Sequence, residues 1–257
     1  MNLLIGFIVV SCGFVFALDH LNQDVSNYWD VIAFAMVILG TLSVSIITSP
    51  PLRIITILRF FFHGIKNGGG LREDTINNSL NLFKGNIPNG KVKRFDQKVL
   101  VDGLELLRLG YPTEKVEVIL RQRIENYTND AVTIASWVRG LSKYPPAFGL
   151  AGTVLGLIHL MNGLSDGSGP KETGMRMAIA LVATLYGIVV ANIFVNPVGD
   201  RLMSRAKEDY NLAEISLETI LMISRKTNMI TAIETLNNYV PNKLKNIETN
   251  KLLAEVS

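Results

Sequence analysis

Long runs without charge are the feature that most constrains this chain. Four of them occur, at residues 3–18, 31–49, 145–164 and 177–195, and none contains Asp, Glu, Lys or Arg. A helix that crosses a membrane needs about 17–25 mostly apolar residues, and the first run is only slightly shorter. Because no basic stretch precedes that run and no clean cleavage site follows it, we interpret it as a helix rather than a signal peptide. The sequence predicts an all-α membrane protein with four transmembrane helices.

The distribution of basic residues predicts how these helices are oriented. Residues 19–30 contain three Asp and no Lys or Arg, whereas residues 50–143 contain fifteen Lys and Arg and the tail from 198 contains eight. Because Lys and Arg accumulate in cytoplasmic segments, we expect both termini, the long loop and the tail in the cytoplasm. The expected order is membrane helices with a short periplasmic loop at 1–49, a cytoplasmic helical domain at 50–143, membrane helices at 144–197 and a cytoplasmic helical tail at 198–257.

Composition and motifs exclude several classes of function. With 48 % hydrophobic and 18 % charged residues, the chain fits membrane helices joined to a sizeable soluble part. Its single cysteine, Cys12, cannot form an intrachain disulfide, and the three histidines lack the spacing of metal ligands. No phosphate-binding glycine motif and no nucleophile–base constellation occurs. We therefore predict no catalytic residues, no bound cofactor and no nucleic-acid partner.

Small residues line one face of the third and fourth runs. In the third run the stripe consists of Pro146, Gly149, Thr153 and Gly156, with Gly152 beside it, and in the fourth it consists of Ala180, Thr184, Gly187 and Ala191. Close helix–helix packing explains the glycines, because small residues let backbones approach. The two mid-span threonines leave a second interpretation open, since a hydroxyl is a natural oxygen ligand for a bare cation.

The four apolar runs lack the side chain that usually marks an ion path. They contain no Asp or Glu from which a proton or cation could be relayed. If ions cross the membrane here, a partner chain has to supply the carboxylate.

Three segments, in this order and spacing, resemble the MotA/PomA family, the A subunits of the flagellar stator within the MotA/TolQ/ExbB superfamily. They are DVIAFAMVILGTL, PPAFGLAGTVLGLIHLM and ALVATLYGIVVANIFVNP. The resemblance covers essentially the whole chain, and the fourth predicted helix favours the stator over the three-span ExbB and TolQ relatives. It implies a homo-oligomer in the bacterial inner membrane, a pentamer in the family. A single-span subunit of the MotB/PomB type would supply the ion-binding aspartate, and ion flow would drive torque on a rotor switch protein of the FliG type.

The resemblance also implies roles for individual residues. Thr153 and Thr184 match the positions that line the ion path, and Asp30 matches an aspartate at the outer mouth of the second helix. Because sodium-driven members carry threonine at both positions, sodium, held transiently at these hydroxyls, is favoured over the proton as the transported ion. Pro146 and Pro197 match prolines implicated in conformational coupling to torque.

Basic residues of the long loop are the expected contact with the rotor. Lys84 fits the family's basic position, but the acidic cluster that normally follows is replaced by Lys91, Lys93 and Arg94. A solvated basic face and attraction to acidic lipid are the alternatives. The changed charges also keep open an ion-driven energiser of a non-flagellar machine. A membrane scaffold that conducts nothing, in which the glycines only pack, is a further function class.

Reversing Lys91 and Arg94 to Glu is expected to impair motility without loss of membrane insertion, because the reversed charges would repel a surface that the wild-type loop attracts. The measurement is the swimming of a stator-deleted host, together with fractionation of the variant. Normal swimming would show that the patch is not a rotor contact.

Overall fold

The computed structural model describes residues 2–20, 28–48, 71–83, 85, 94–165, 167 and 169–239. All the regular structure in these residues is helical. No strand occurs in these ranges, so the predicted all-α class is confirmed. The helices are α1 (Asn2–His20), α2 (Val31–Thr48), α3 (Leu71–Phe83), α4 (Phe95–Arg108), α5 (Thr113–Leu141), α6 (Tyr144–Ser165), α7 (Pro170–Val189), a π-helical segment (Val190–Val195), α8 (Asn196–Ser224) and α9 (Met229–Asn237).

Three helical stretches among the described residues are long and apolar enough to cross a membrane, judged by length and composition. They are Val31–Thr48 and one window within each of Thr113–Ser165 and Pro170–Ser224. α1 contributes a shorter apolar stretch, Ile8–Ala17. The second, third and fourth predicted runs thus lie in candidate membrane helices, while the count of four stays a prediction.

The chain forms two compact units. Unit 1 comprises residues 1–67 and 133–203, and unit 2 comprises residues 68–132 and 204–257. Unit 2 therefore combines parts of the long loop and of the tail, two segments that lie far apart in the sequence.

Unit 1 is built from helices that place small residues inward and large ones outward. α6 and α7 make the most extensive helix contact, and α2 packs against both. The ring of Phe148 on α6 fills the space beside Gly40 on α2, where a Cβ would collide with it. Large apolar side chains cover the outer faces, among them Ile32, Leu39, Ile47, Leu150, Leu155 and Leu181. This distribution suits helices that pack through small residues and meet lipid with large ones.

Unit 2 is built around residues 204–224 of α8. One core packs this segment against α4 and α5 and includes Leu100, Leu120, Ile124, Leu217 and Ile220. A second core packs it against α3 and α9 and includes Ile76, Leu80, Leu212, Ile215, Ile233 and Leu236. Because large apolar residues recur along α8 at helical spacing on more than one face, the segment buries contacts on both sides.

A buried ion pair holds α3 to the start of α4. Asp96 is 3 % exposed, and Arg94 donates from Nε to Oδ1 and from Nη2 to Oδ2, both at 2.9 Å. Arg94 Nη2 also donates to Thr75 Oγ1 at 2.7 Å and to the carbonyl oxygen of Leu71 at 3.1 Å. The Thr75 hydroxyl lies 2.7 Å from Asp96 Oδ2. A buried carboxylate is stable only when it is paired and hydrogen-bonded. Arg94 therefore acts as an internal brace of unit 2, that is, a side chain whose bonds hold α3 to the start of α4.

Asp209, on α8 in the same unit, is a carboxylate whose charged form is disfavoured by burial. Burial raises the pKa of Asp209 above its ordinary value; the positive charges of Arg205 and Arg94 oppose the shift, and the negative charges of Asp96 and Glu208 add to it. Because the pKa is higher in the folded than in the unfolded chain, ionisation of this group favours unfolding. The contribution of Asp209 to the free energy of unfolding is therefore greatest at pH values below its pKa in the unfolded chain. It is lost as the pH rises through its pKa in the folded chain.

Arg94→Ala is expected to destabilise unit 2 by about 2–4 kcal/mol, because it leaves the Asp96 carboxylate buried without its partner. The measurement is urea unfolding of the purified full-length protein in detergent, followed by circular dichroism. Arg123→Ala is the matched control, since its ion pair with Asp102 has a half-exposed guanidinium and should cost about 0–1 kcal/mol. Equal losses in the two variants would contradict the role of Arg94 as a brace.

Candidate functional site: the contact between α6 and α7

Glycines bring the backbones of α6 and α7 into direct contact. A Cβ added to Gly149 would lie 2.7 Å from the carbonyl oxygen of Ala183, and one added to Gly187 would lie 2.5 Å from that of Pro145. Neither oxygen can move without moving its helix. Any side chain at these two positions would therefore push the helices apart.

Two more glycines continue the same contact along α6. A Cβ added to Gly152 would lie 2.7 Å from the Cβ of Ala183, and one added to Gly156 would lie 2.6 Å from that of Ala180. The stripe of small residues that the sequence indicates on each helix thus lies at the α6–α7 contact.

Two threonine hydroxyls meet within this contact. Thr153 Oγ1 and Thr184 Oγ1 share a hydrogen bond across the two helices. Thr153 Oγ1 also lies 3.0 Å from the carbonyl oxygen of Ala180 and 3.2 Å from that of Gly149, and Thr184 Oγ1 lies 3.4 Å from the latter. Two hydroxyl and two carbonyl oxygens are gathered at one place between half-buried side chains. All four are neutral, so they can replace water around a cation but cannot balance its charge.

Asp30 lies at the start of α2, where its carboxylate caps the helix. Asp30 Oδ1 accepts a hydrogen bond of 2.6 Å from the backbone N–H of Ala33, and its carbonyl oxygen accepts one of 3.0 Å from Phe34. Within the described residues, no hydrogen bond joins Asp30 to Thr153 or Thr184. In the described part of the structure, Asp30 therefore caps the start of α2 and makes no direct contact by hydrogen bond with the two threonines.

Tyr186 connects this start of α2 to α7, and the sequence did not single it out. Its hydroxyl accepts a hydrogen bond of 3.1 Å from the backbone N–H of Asp30 and donates to the carbonyl oxygen of Tyr28. The sequence signal that could have revealed Tyr186 is its position in an apolar run, because a buried tyrosine hydroxyl usually has a hydrogen-bond partner.

The two prolines with expected roles in coupling lie toward the same end of the α6–α7 pair, Pro146 near the start of α6 and Pro197 beyond the end of α7. Pro146 lies in the first turn of α6, where its missing N–H leaves no helical bond unmade. Its Cα would lie 2.9 Å from a Cβ added to Gly187. Pro197 follows the fourth apolar run, and the helix continues through it as α8.

A π-helical segment explains how the helix passes Pro197. Val190–Val195 has the wider π turn, and Pro197 is the second residue of α8 directly after it. A proline ring clashes with the carbonyl four residues earlier in a regular α-helix, and a local π turn is one way to relieve that clash. Asn192 donates from its side chain to the carbonyl oxygen of Ile188 at 3.1 Å, and Asn196 donates to the side chain of Asn192 at 3.2 Å.

The predicted rotor-contact residues are mostly not placed by the structure. Lys84, Lys91 and Lys93 lie outside the described residues, whereas Arg94 is engaged with Asp96 inside unit 2. The expectation of an outward-facing cation at position 94 does not match this placement. Reversing Lys91 together with Lys93 is therefore the form of the charge-reversal test that leaves the buried ion pair intact.

Apolar helices long enough to cross a membrane, packed through glycines with two hydroxyls inside the contact, define a helical membrane protein. Residues 91–215 match the model of the MotA/TolQ/ExbB proton channel family. This region, just under half of the chain, is thus similar to a family of channels rather than to a class of enzymes, which confirms the resemblance seen in the sequence.

Individual relatives agree with the family match. The chain is 33 % identical to motility protein A of Aquifex aeolicus strain VF5 over 131 residues, which cover 51 % of this chain and 48 % of the relative. It is 30 % identical to the chemotaxis protein PomA of Vibrio alginolyticus over 139 residues, which cover 54 % and 53 %. The matched region thus spans about half the length of these curated relatives.

A solved structure matches the fold over nearly the whole chain. The flagellar MotAB stator complex from Bacillus subtilis superposes with a TM-score of 0.80, covering 95 % of this chain and 97 % of the other. The sequence identity is 22 %, so this likeness concerns the fold alone.

Gly149→Ala and Gly187→Ala are each expected to lower the stability of unit 1 by about 1–3 kcal/mol, because the new methyl group forces the two backbones apart. Thermal unfolding of the purified protein in detergent is the measurement. Gly174→Ala on α7 is the matched control, since a Cβ there meets nothing within 4 Å and alanine favours the helix. A control as unstable as the other two variants would contradict the close contact.

Proposed function

We propose that this chain is the A-type subunit of a flagellar stator. Together with a single-span B subunit of the MotB/PomB type, it couples ion flow across the inner membrane to torque on the rotor. The Thr153–Thr184 hydroxyl pair at the α6–α7 contact carries the proposal. The match of residues 91–215 to a channel family, the similarity to relatives named motility protein A and PomA, and the MotAB fold support it.

The threonine pair suits a transient ion site that is completed by a partner. The two hydroxyls already lie beside two backbone carbonyl oxygens, so a cation could exchange water for these neutral ligands with little movement of the backbone. No acidic residue occurs in the apolar runs to balance its charge. An aspartate from the B subunit fits this requirement, because an unpaired cation is costly inside a membrane.

Sodium fits this arrangement better than the proton does. A sodium ion that loses its water needs several oxygen ligands at once, whereas a proton needs only one acceptor at each step of a relay. The four oxygens around Thr153 and Thr184 meet the first requirement. Sodium is therefore the proposed transported ion, bound transiently at the two hydroxyls.

The remaining features of the proposal concern assembly and force transmission. Four spans, cytoplasmic termini and a ring of five A subunits follow from the distribution of charge and from the family. Asp30 belongs to the outer mouth of the ion path. Pro146 and Pro197 lie where α6 begins and where the π-helical segment ends, positions from which a change at the threonine pair can alter the direction of a helix. The basic loop around Lys91 and Lys93 is the proposed contact with a FliG-type rotor protein.

Thr153→Val and Thr184→Val are expected to raise the sodium concentration for half-maximal rotation about tenfold, because each removes one oxygen ligand worth roughly one hydrogen bond. The measurement is rotation speed against sodium concentration at fixed proton motive force. It uses a stator-deleted host that expresses this chain with its neighbouring B-type gene.

Two further variants sharpen this experiment. Thr184→Ser keeps the hydroxyl and should rotate like the wild type. Thr173→Val removes a hydroxyl that donates to the Gly169 carbonyl oxygen at the exposed start of α7 and should leave the sodium dependence unchanged. Rotation that does not depend on sodium would end the sodium proposal. Unchanged ion flux and assembly in Thr184→Val would show that this hydroxyl only packs, as it does in the scaffold alternative.

A further inference from the structure

One hydroxyl group ties the start of α2 to α7. Tyr186 accepts from the backbone N–H of Asp30 and donates to the carbonyl oxygen of Tyr28, so it satisfies one donor and one acceptor of the chain just before α2. Backbone groups at this point lie outside the helical ladder and have no partner four residues away. Such groups need a partner from a side chain or from water, and here one tyrosine hydroxyl serves both of them.

The ring of Tyr186 is held in place independently of its hydroxyl. It meets the ring of Phe34 edge to face at 5.8 Å and 88°, and Phe34 stacks on Trp29 at 6.3 Å. Removing the hydroxyl while keeping the ring therefore isolates the two hydrogen bonds from the packing.

Tyr186 lies close to the proposed ion site along the same helix. It follows Thr184 by two residues, which places the two side chains about 200° apart around α7. Thr184 accordingly points to α6 and meets Thr153, while Tyr186 points to α2 and meets Asp30. The neighbouring Gly187 packs against the backbone of Pro145, so this part of α7 is fixed between its two neighbours.

We propose that Tyr186 is a positioning residue that sets the place of the Asp30 carboxylate relative to the Thr153–Thr184 pair. The Asp30 side chain is fixed by its bond to the Ala33 N–H, and the backbone that carries it is fixed by Tyr186. The start of α2 and the ion site are therefore held at one spacing. The importance of that spacing for transport rests on the function proposed above.

Hydrogen exchange tests the positioning directly, without any assumption about transport. In Tyr186→Phe, purified as the full chain in complex with its B-type partner, the backbone N–H of Asp30 should exchange about 2- to 10-fold faster, because it loses its acceptor. Tyr144→Phe is the matched control, since the Tyr144 hydroxyl makes no hydrogen bond within the described part of the chain. An exchange rate in Tyr186→Phe equal to that of the wild type would overturn the proposal.

A double-mutant cycle tests whether the effect on transport passes through Asp30. Tyr186→Phe should raise the sodium concentration for half-maximal rotation about 2- to 10-fold and leave the maximal speed near that of the wild type. Asp30→Asn keeps a capping oxygen and removes the charge. When Asp30→Asn is already present, Tyr186→Phe should add little further change in the sodium concentration for half-maximal rotation. The side chain that Tyr186 positions has then already lost its charge.

The outcomes separate the inference from the proposed function. An equal shift from Tyr186→Phe with and without Asp30→Asn would show that the tyrosine acts independently of Asp30 and would overturn the inference. A wild-type complex that shows no ion-driven rotation would refute the proposed function instead. The exchange rate at Asp30 would then decide alone whether Tyr186 positions this residue.

Discussion

Direct contact between the backbones of α6 and α7 is the constraint on which unit 1 depends. Inside a membrane, lipid is as apolar as leucine, so helices gain little by burying large side chains against each other. Close approach and hydrogen bonds across the contact take over that role. Gly149 and Gly187 make the approach possible, and the shared hydrogen bond of Thr153 and Thr184 exists only because the backbones are this close.

Unit 2 is held together by the opposite means. Its two cores contain large aliphatic side chains that are almost fully buried, as expected where water drives apolar groups together. Its buried charge, Asp96, is tolerated because Arg94 and Thr75 satisfy both carboxylate oxygens. The same chain thus packs small residues between the helices of unit 1 and large ones in the cores of unit 2.

Periodic features were predictable from the sequence, whereas features that depend on a single long-range partner were not. The bounds of α2 and α6 lie within one residue of the apolar runs, because absence of charge and helical periodicity are local properties. Arg94 looked like part of a surface patch, since nothing near it in the sequence reveals that Asp96 is buried. Tyr186 was missed because its partners lie more than 150 residues earlier. The passage of the helix through Pro197 depends on a π turn that proline alone does not specify.

By itself, the sequence determined the helical class, the candidate membrane segments, the small-residue stripes and the family resemblance, all of which follow from residue type and spacing. Only the tertiary structure decided that the stripes of α6 and α7 face each other, so that two separate threonines become one cluster of oxygens. It also decided that Asp30 is a helix cap linked to α7 and that Arg94 is an internal brace. Hydrogen bonds and ion pairs act over a few ångströms, and only the folded chain brings residues so distant in sequence within that range.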